Sequence, residues 1–318
     1  MLSRVGDSLY WMSRYLERAE HTARVIQVHL DLMLERCAAG SDDRNWVRLA
    51  RSLGVESPAD DNELGEASIQ SLLHDASERA SIVTSIMAAR ENARQVREQI
   101  SSEMWEQLNR LFHAVRNAGG PDVWGAGEFL HSIKEGAHLF QGITDSTMTH
   151  GEGWQFIQAG RFLERAVSLS ILVSVHFRAF HQPDHRESER SYLEWIGLLR
   201  SCTAFEAYCK AYTAQIKPDR IAEFLVLHQS FPHSIRFSAE ALEAAIKEIG
   251  REAGSRRSSH VERIAGRLRA TLGFGQIDEI MAGGLDTYLN GILRQCGQVH
   301  GAMYQTYVSY PIELALEA

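Results

Sequence analysis

From Val5 to Cys37 the apolar residues recur at alternating intervals of four and three, through Leu9, Met12, Leu16, Ala19, Ala23, Ile26, Leu30 and Met33. That spacing lays one continuous stripe along a helix, whereas a strand would alternate with a period of two. A helix this long with a single apolar stripe must bury it against other elements, so the chain is expected to build a bundle. The alternation returns from Phe156 through Ala159, Leu163, Ala166, Ser170, Val173 and Phe177 to Phe180. Only six prolines occur in 318 residues, at 58, 121, 183, 218, 232 and 311. The proline-free intervals leave room for long helices, because an interior proline removes a backbone donor and clashes with the preceding turn. No segment reads as an alternating strand, and the expected fold class is all-α, a multi-helix bundle.

The two stripes share more than their spacing. Arg14-Tyr15-Leu16-Glu17-Arg18-Ala19 and Arg161-Phe162-Leu163-Glu164-Arg165-Ala166 differ by one hydroxyl, and Val28-His29 and Val175-His176 recur at the same offset of 147 residues. A fainter echo pairs Ser81-Ile82-Val83-Thr84-Ser85 with Ser234-Ile235-Arg236-Phe237-Ser238. These matches read as a duplicated helical unit giving two pseudo-equivalent halves, roughly 1–150 and 151–318, within one domain. Inside each block the leucine and alanine lie on the apolar stripe, with the charged residues off it. In the second copy Ile171-Leu172 make the helix apolar nearly all round, so Glu164 and Arg165 are expected to be covered by protein.

Between the stripes the breakers set further expectations. The first helix runs to about Ala39 before Gly40, and a polar connection with Ser57-Pro58 and Asp60-Asp61-Asn62 follows, with a short helix near Trp46–Leu53. A second long helix is expected from Ile82 to Ile100. Ser101-Ser102 caps the next, which stops at Ala118-Gly119-Gly120-Pro121. Another helix covers Glu128–Phe140, and Thr144–Gly153 reads as a loop. His181–Glu189 reads as a linker, with Ser191 and Glu194 as a capping box opening a helix to about Ile216. Four more helical patterns follow at Arg220–Gln229, Ser238–Gly250, Val261–Leu272 and Asp286–Tyr307.

At the doubled block the sequence resembles the bacterial alpha-E family, an all-helical family named for its glutamate–arginine motif. The resemblance extends to Ala89-Arg90-Glu91-Asn92-Ala93-Arg94, Val96-Arg97-Glu98, Glu103-Met104-Trp105-Glu106, Thr147-Met148-Thr149 and Glu152-Gly153-Trp154. It also takes in Phe231-Pro232-His233-Ser234-Ile235, where the family more often has arginine in place of His233. The resemblance implies partnership with a circularly permuted ATP-grasp protein, often with a transglutaminase-like cysteine protease and in some cases a proteasome-like peptidase. It therefore implies a role in forming or trimming amide bonds on a peptide or small metabolite, as an accessory or co-catalytic partner.

Two readings of the block stay open: Arg14, Glu17 and Arg18 with Arg161, Glu164 and Arg165 brace two halves, or they line a paired polar pocket for an anionic group or a partner chain. An enzyme using Glu17, Glu164 or Glu91 as general acid or base is the alternative, although neighbouring arginines lower a carboxylate's pKa and favour a charged anchor. A structural helical scaffold is the third possibility. The densest polar cluster, Arg90, Asn92, Arg94 and Arg97 with Glu91 and Glu98, is either a solvated face or a set of forks meeting the blocks across the bundle. Glu128–His131 and Glu135–His138 each have the ExxH form, but both fall on one helix, whereas a di-iron site draws on several. No metal or other cofactor is expected. Gly125-x-Gly127, Gly151-x-Gly153 and Gly273-x-Gly275 lack the spacing of a nucleotide loop.

Composition narrows the classes further. The net charge of −8 argues against a general nucleic-acid binder, and the locally basic Arg256, Arg257, Arg263, Arg267 and Arg269 read as a loop and amphipathic helix. Arginine outnumbers lysine 29 to 4, which suits planar recognition of carboxylate or phosphate as well as a biased codon usage. Cys37, Cys202, Cys209 and Cys296 form no metal or disulfide spacing and read as reduced thiols in a cytoplasmic protein. Charges from Arg4 onward interrupt any signal sequence, and Leu169–Phe180 is too short to span a bilayer, so no membrane role is expected. A homo-oligomer is compatible with all of this.

Overall fold

The computed structural model describes residues 3–38, 45–55, 62–75, 78, 80–119, 122–181, 189–213, 215–253 and 258–308. These residues form fourteen α-helices and no strand. The two stripes become α1 (Ser3–Ala38) and α7 (Glu152–Phe180), which lie side by side at the centre. They run parallel: Gly6 meets Phe156, Tyr10 and Ser13 meet Gly160, and Arg14 meets Glu164. The tightest point is Gly160, where a Cβ would sit 2.3 Å from both Ser13 Oγ and the Tyr10 carbonyl oxygen. Only glycine permits that approach. Ser13 and Gly160 are themselves counterparts at the 147-residue offset.

Six of the remaining helices repeat one packing pattern around this pair. α4 (Ile82–Gln95) packs on α1, and α11 (Ile235–Ala253) packs on α7. Both open on a buried serine of the fainter echo: Ser81 Oγ accepts from the Thr84 amide at 3.0 Å, and Ser234 Oγ from the Phe237 amide at 3.0 Å. Such a cap satisfies an amide that the helix itself cannot. α5 (Ser102–Asn117) packs on α4 and α12 (Ser258–Gly273) on α11. α6 (Gly127–Thr147) touches α1 and α5, while α14 (Leu285–Met303) touches α7 and α12. α2 (Trp46–Ser52) and α3 (Asn62–His74) pack together beside the centre, with α2 also reaching α7. α8 (Glu189–Ser201), α9 (Phe205–Tyr212), α10 (Pro218–Leu227) and α13 (Ile277–Gly283) complete the bundle. Most of the buried apolar side chains form one continuous cluster. Among the described residues no helix is long and apolar enough to cross a membrane.

Several boundaries differ from expectation. α4 stops at Gln95 and a 3-10 turn spans Arg97–Gln99, although Val96 and Ile100 still reach the core. The loop expected from Thr144 is helical to Thr147, where Thr144 and Thr147 donate back to the Phe140 and Ile143 carbonyls, at 2.8 Å each. That back-bonding lets a polar run continue a helix. Ser191 lies inside α8 rather than capping it, and Glu194 pairs with Arg48 at 3.1 and 3.2 Å. The helix expected to reach Ile216 breaks at Thr203, φ 51°, and α9 ends at Thr213, φ 52°. Threonine gives no signal for that left-handed backbone. α3 begins within the expected breaker, and α13 is too short to show a period. Gly40, Ser57-Pro58, Asp60-Asp61, Gly120-Pro121, Arg256-Arg257 and 182–188 lie outside the described residues.

Candidate functional site: an interlocked arginine–glutamate clasp

Because α1 and α7 are parallel and in register, the charged positions of each block face those of the other. Arg14 and Arg18 each donate through Nε to a different oxygen of Glu164, both at 2.7 Å. Reciprocally, Arg165 donates through Nε and Nη2 to the two oxygens of Glu17 at 2.6 and 3.0 Å, and Arg161 Nε lies 3.9 Å from Glu17. Each carboxylate thus sits between two guanidinium groups of the other copy. Glu17, Glu164 and Arg165 are only 3% exposed, so both copies are covered, not just the second. Burial alone would raise the Glu164 carboxyl, but the charges and hydrogen bonds of Arg14 and Arg18 outweigh it and hold its pKa below the usual carboxylate range.

Residues 1–308 match the profile of the Alpha-E family, described as a predicted alpha-helical domain with a conserved ER motif. The chain belongs to the Alpha-E family. The Glu-Arg steps of the doubled block, Glu17-Arg18 and Glu164-Arg165, are residues that interlock. The Alpha-E chain is also 25% identical over 312 residues to an uncharacterized protein of Mycobacterium bovis and to uncharacterized proteins of two strains of Mycobacterium tuberculosis. The match covers 91% of this chain and 35% of each relative, so the chain spans about a third of their length. No solved structure matches it.

The Alpha-E clasp is not symmetric in detail. Arg14 also reaches Tyr10 Oη and His300 Nδ1, each at 3.4 Å, and the Tyr10 hydroxyl lies 2.9 Å from His300 Nδ1. Those donors need an unprotonated Nδ1, consistent with burial lowering the pKa of His300. Arg161, the counterpart of Arg14, instead donates through Nη2 to Gln141 Oε1 at 2.7 Å, and Gln141 Nε2 lies 3.4 Å from Glu17. Its Nε is buried without a hydrogen-bond partner among the described residues. Burial, then repulsion from Arg165, lowers the pKa of Arg161.

One turn further along α1 the polar seam continues. Glu20, 3% exposed, pairs with Arg24, and His138 of α6 lies 3.5 Å from Glu20. Burial would raise Glu20, but His138 and Arg24 hold its pKa far below the carboxylate range. His21 and His233 flank this group, and burial lowers the pKa of both, that of His233 with help from Arg165. Cavities open beside each half of the clasp. One lies between α1, α6 and α7 next to Arg161, and one lies next to Tyr10 and His300.

Six of the expected site residues therefore converge: Arg14, Glu17, Arg18, Arg161, Glu164 and Arg165. The Arg90–Glu98 cluster does not join them. Arg90 donates to Asn109 at 2.7 Å and stacks over Phe112 and Trp105, while Arg97 lies over Trp105. Arg94 forms an exposed pair with Glu91 at 2.6 Å, which lowers the Glu91 pKa, and Asn92 bonds back to the Ala88 carbonyl at 2.8 Å. Tyr10, Glu20, His138, Gln141 and His300 also belong to the polar seam, although the sequence reading passed over their place in it. Glu20 and Arg24 continue the charged face of α1, whereas His138, Gln141 and His300 come from distant helices and carry no local signal. His131 pairs with Glu135 on the surface at 3.1 Å. Among the described residues no group of three or more His, Cys, Asp or Glu is placed to hold a metal ion. Cys202, Cys209 and Cys296 are free thiols.

Proposed function

We propose that this Alpha-E protein is an accessory or co-catalytic partner of an ATP-grasp amide-ligase system in the cytoplasm, acting on a peptide or small metabolite. One observation supports this over an enzyme built on the block: Glu17 and Glu164 each lie between two arginines of the opposite copy. Glu164, its pKa lowered by Arg14 and Arg18, is a fixed anion and a poor proton donor near neutral pH. Glu91, lowered by Arg94, is no better suited. The clasp then serves to fix the register of α1 against α7, and thereby the shape that a partner reads. On the same reading the chain comprises two copies of one helical unit, approximately 1–150 and 151–318. The matched packing of α4, α5 and α6 with α11, α12 and α14 supports it.

Co-purification of the full chain with a circularly permuted ATP-grasp protein and a transglutaminase-like protease from the same genome is the test. A stable complex whose ligase activity depends on this chain is expected. Full ligase activity without it, and no complex, would remove the proposal. The scaffold reading is favoured by the same clasp and differs in outcome: substitutions in the block would lower the melting temperature without selectively weakening partner binding.

A further inference from the structure

The two copies of the block differ in what covers their outer edge. Arg165 uses all three guanidinium nitrogens inside the protein: Nε and Nη2 donate to Glu17, and Nη1 donates to the Pro232 carbonyl at 3.1 Å. Beside it Gln158 is buried, and Phe162 meets Phe237 of α11 edge-on with ring centroids 5.8 Å apart. Their counterparts at the 147-residue offset are Arg18, Trp11 and Tyr15. Trp11 is only half-buried where Gln158 is buried, and the Arg18 side chain is 27% exposed against 3% for Arg165. Arg18 enters the clasp through Nε alone, and its two terminal nitrogens donate to no acceptor among the described residues. Where α11 offers Phe237, the echo in α4 offers Thr84, whose hydroxyl donates to the Asp75 carbonyl.

Positions 11, 15 and 18 are spaced four and three apart and so share one strip of α1. Their side chains are already ordered on it. Trp11 and Tyr15 stack with centroids 5.4 Å apart, Arg14 lies 4.6 Å over Trp11, Arg18 lies 5.5 Å over Tyr15, and His300 meets the Trp11 ring edge-on. Glu164 holds both arginines through Nε. A guanidinium held in this way, with its terminal nitrogens open, is a fork for a carboxylate and loses little freedom in binding one. Tryptophan, tyrosine and arginine are also the residues that dominate the energy of protein interfaces. A continuous run of phosphates would meet Asp7, one turn before Trp11, and a net charge of −8. A carboxylate on Arg18 lies about 16 Å further along the helix from Asp7.

We propose that the Trp11–Tyr15–Arg18 strip docks an acidic, aromatic segment of a partner protein, a carboxylate seated on the Arg18 terminal nitrogens and a flat side chain on the Trp11–Tyr15 rings. The strip carries this without the ligase partnership, and a failed peptide titration would leave the co-purification outcome unaffected.

The experiment is fluorescence anisotropy of the full chain with labelled peptides of about ten residues, long enough to span the strip, that combine phenylalanine and glutamate in varied order. Matched peptides with glutamine for glutamate, matched peptides with alanine for phenylalanine, and a short oligo(dT) serve as controls. At least one acidic aromatic peptide is expected to bind saturably with Kd below about 1 mM. Its glutamine form should bind roughly tenfold to a hundredfold more weakly, the range for a lost hydrogen bond to a charged group. The alanine form should lose about tenfold, and so should the chain carrying Trp11→Gln, a substitution to the residue that the second copy already accommodates. Arg18→Gln should remove the preference for glutamate over glutamine. Even if that variant misfolds, bound peptide should protect Tyr15 of the unaltered chain from nitration, read by mass spectrometry. No saturable binding would overturn the proposal. So would equal binding of the glutamine peptides, tighter binding of oligo(dT), affinity unchanged in Trp11→Gln, or nitration of Tyr15 unaltered by saturating peptide.

Discussion

Glu164 accepts from two guanidinium groups while almost wholly withdrawn from solvent, so its removal strands both. Glu164→Gln is expected to cost about 3–5 kcal/mol of unfolding free energy, the range for breaking a buried pair by deleting one partner. Urea denaturation with an unchanged m-value would check it, and a loss below about 1 kcal/mol, the range for surface pairs, would show that solvent screens the clasp. Such a pair specifies geometry more than it stabilises, because two buried charges must first be stripped of water. The block was legible in the sequence because its six residues repeat without a gap, and its burial followed from Ile171-Leu172 beside the second copy. The crosswise pairing was not legible. Arg14 and Glu17 are also neighbours on one helix, and only the parallel packing of α1 on α7 sends each arginine to the opposite copy.

At the scale of the helix, two contacts separate rigid from yielding neighbours. A Cβ at Gly160 would press on backbone, the Tyr10 carbonyl, while one at Gly197 would meet only Leu32 Cδ1 at 2.4 Å. Gly160→Ala should therefore cost about 2–3 kcal/mol through forced separation of α1 from α7, and Gly197→Ala clearly less because a leucine can change rotamer. Equal losses in thermal denaturation would contradict the close crossing. The caps give a second comparison. Ser81→Ala should cost about 1 kcal/mol for the lost cap. Ser234→Ala should cost more, since the Ser234 hydroxyl also donates to the His228 carbonyl. The long helices were readable from spacing alone, whereas α13 and the break at Thr203 were not. A seven-residue helix spans too few turns to show a period, and a β-branched residue at positive φ is held there by its surroundings.

Across the whole molecule, titration of the polar seam makes stability depend on pH in two stages. His21, His233 and His300 have lowered pKa values in the folded chain, chiefly through burial. The unfolded chain therefore takes up protons that the folded chain refuses, and stability should begin to fall as pH drops below about 6.5. Glu164 and Glu20 are also lowered. Their contribution is complete above the unfolded carboxylate value of about 4.3 and should be lost below it. Melting temperatures measured through both ranges would show the two limbs, and His233→Gln should flatten the upper one. An unaltered slope would remove His233 from the account. The interlock has a further consequence for how such a chain can change over time. Glu17 and Arg165 stand 148 positions apart, yet neither can be replaced alone without leaving a charge in the interior. The two blocks must therefore vary together, and homologous sequences should show correlated substitution across that distance, as if the two segments were one.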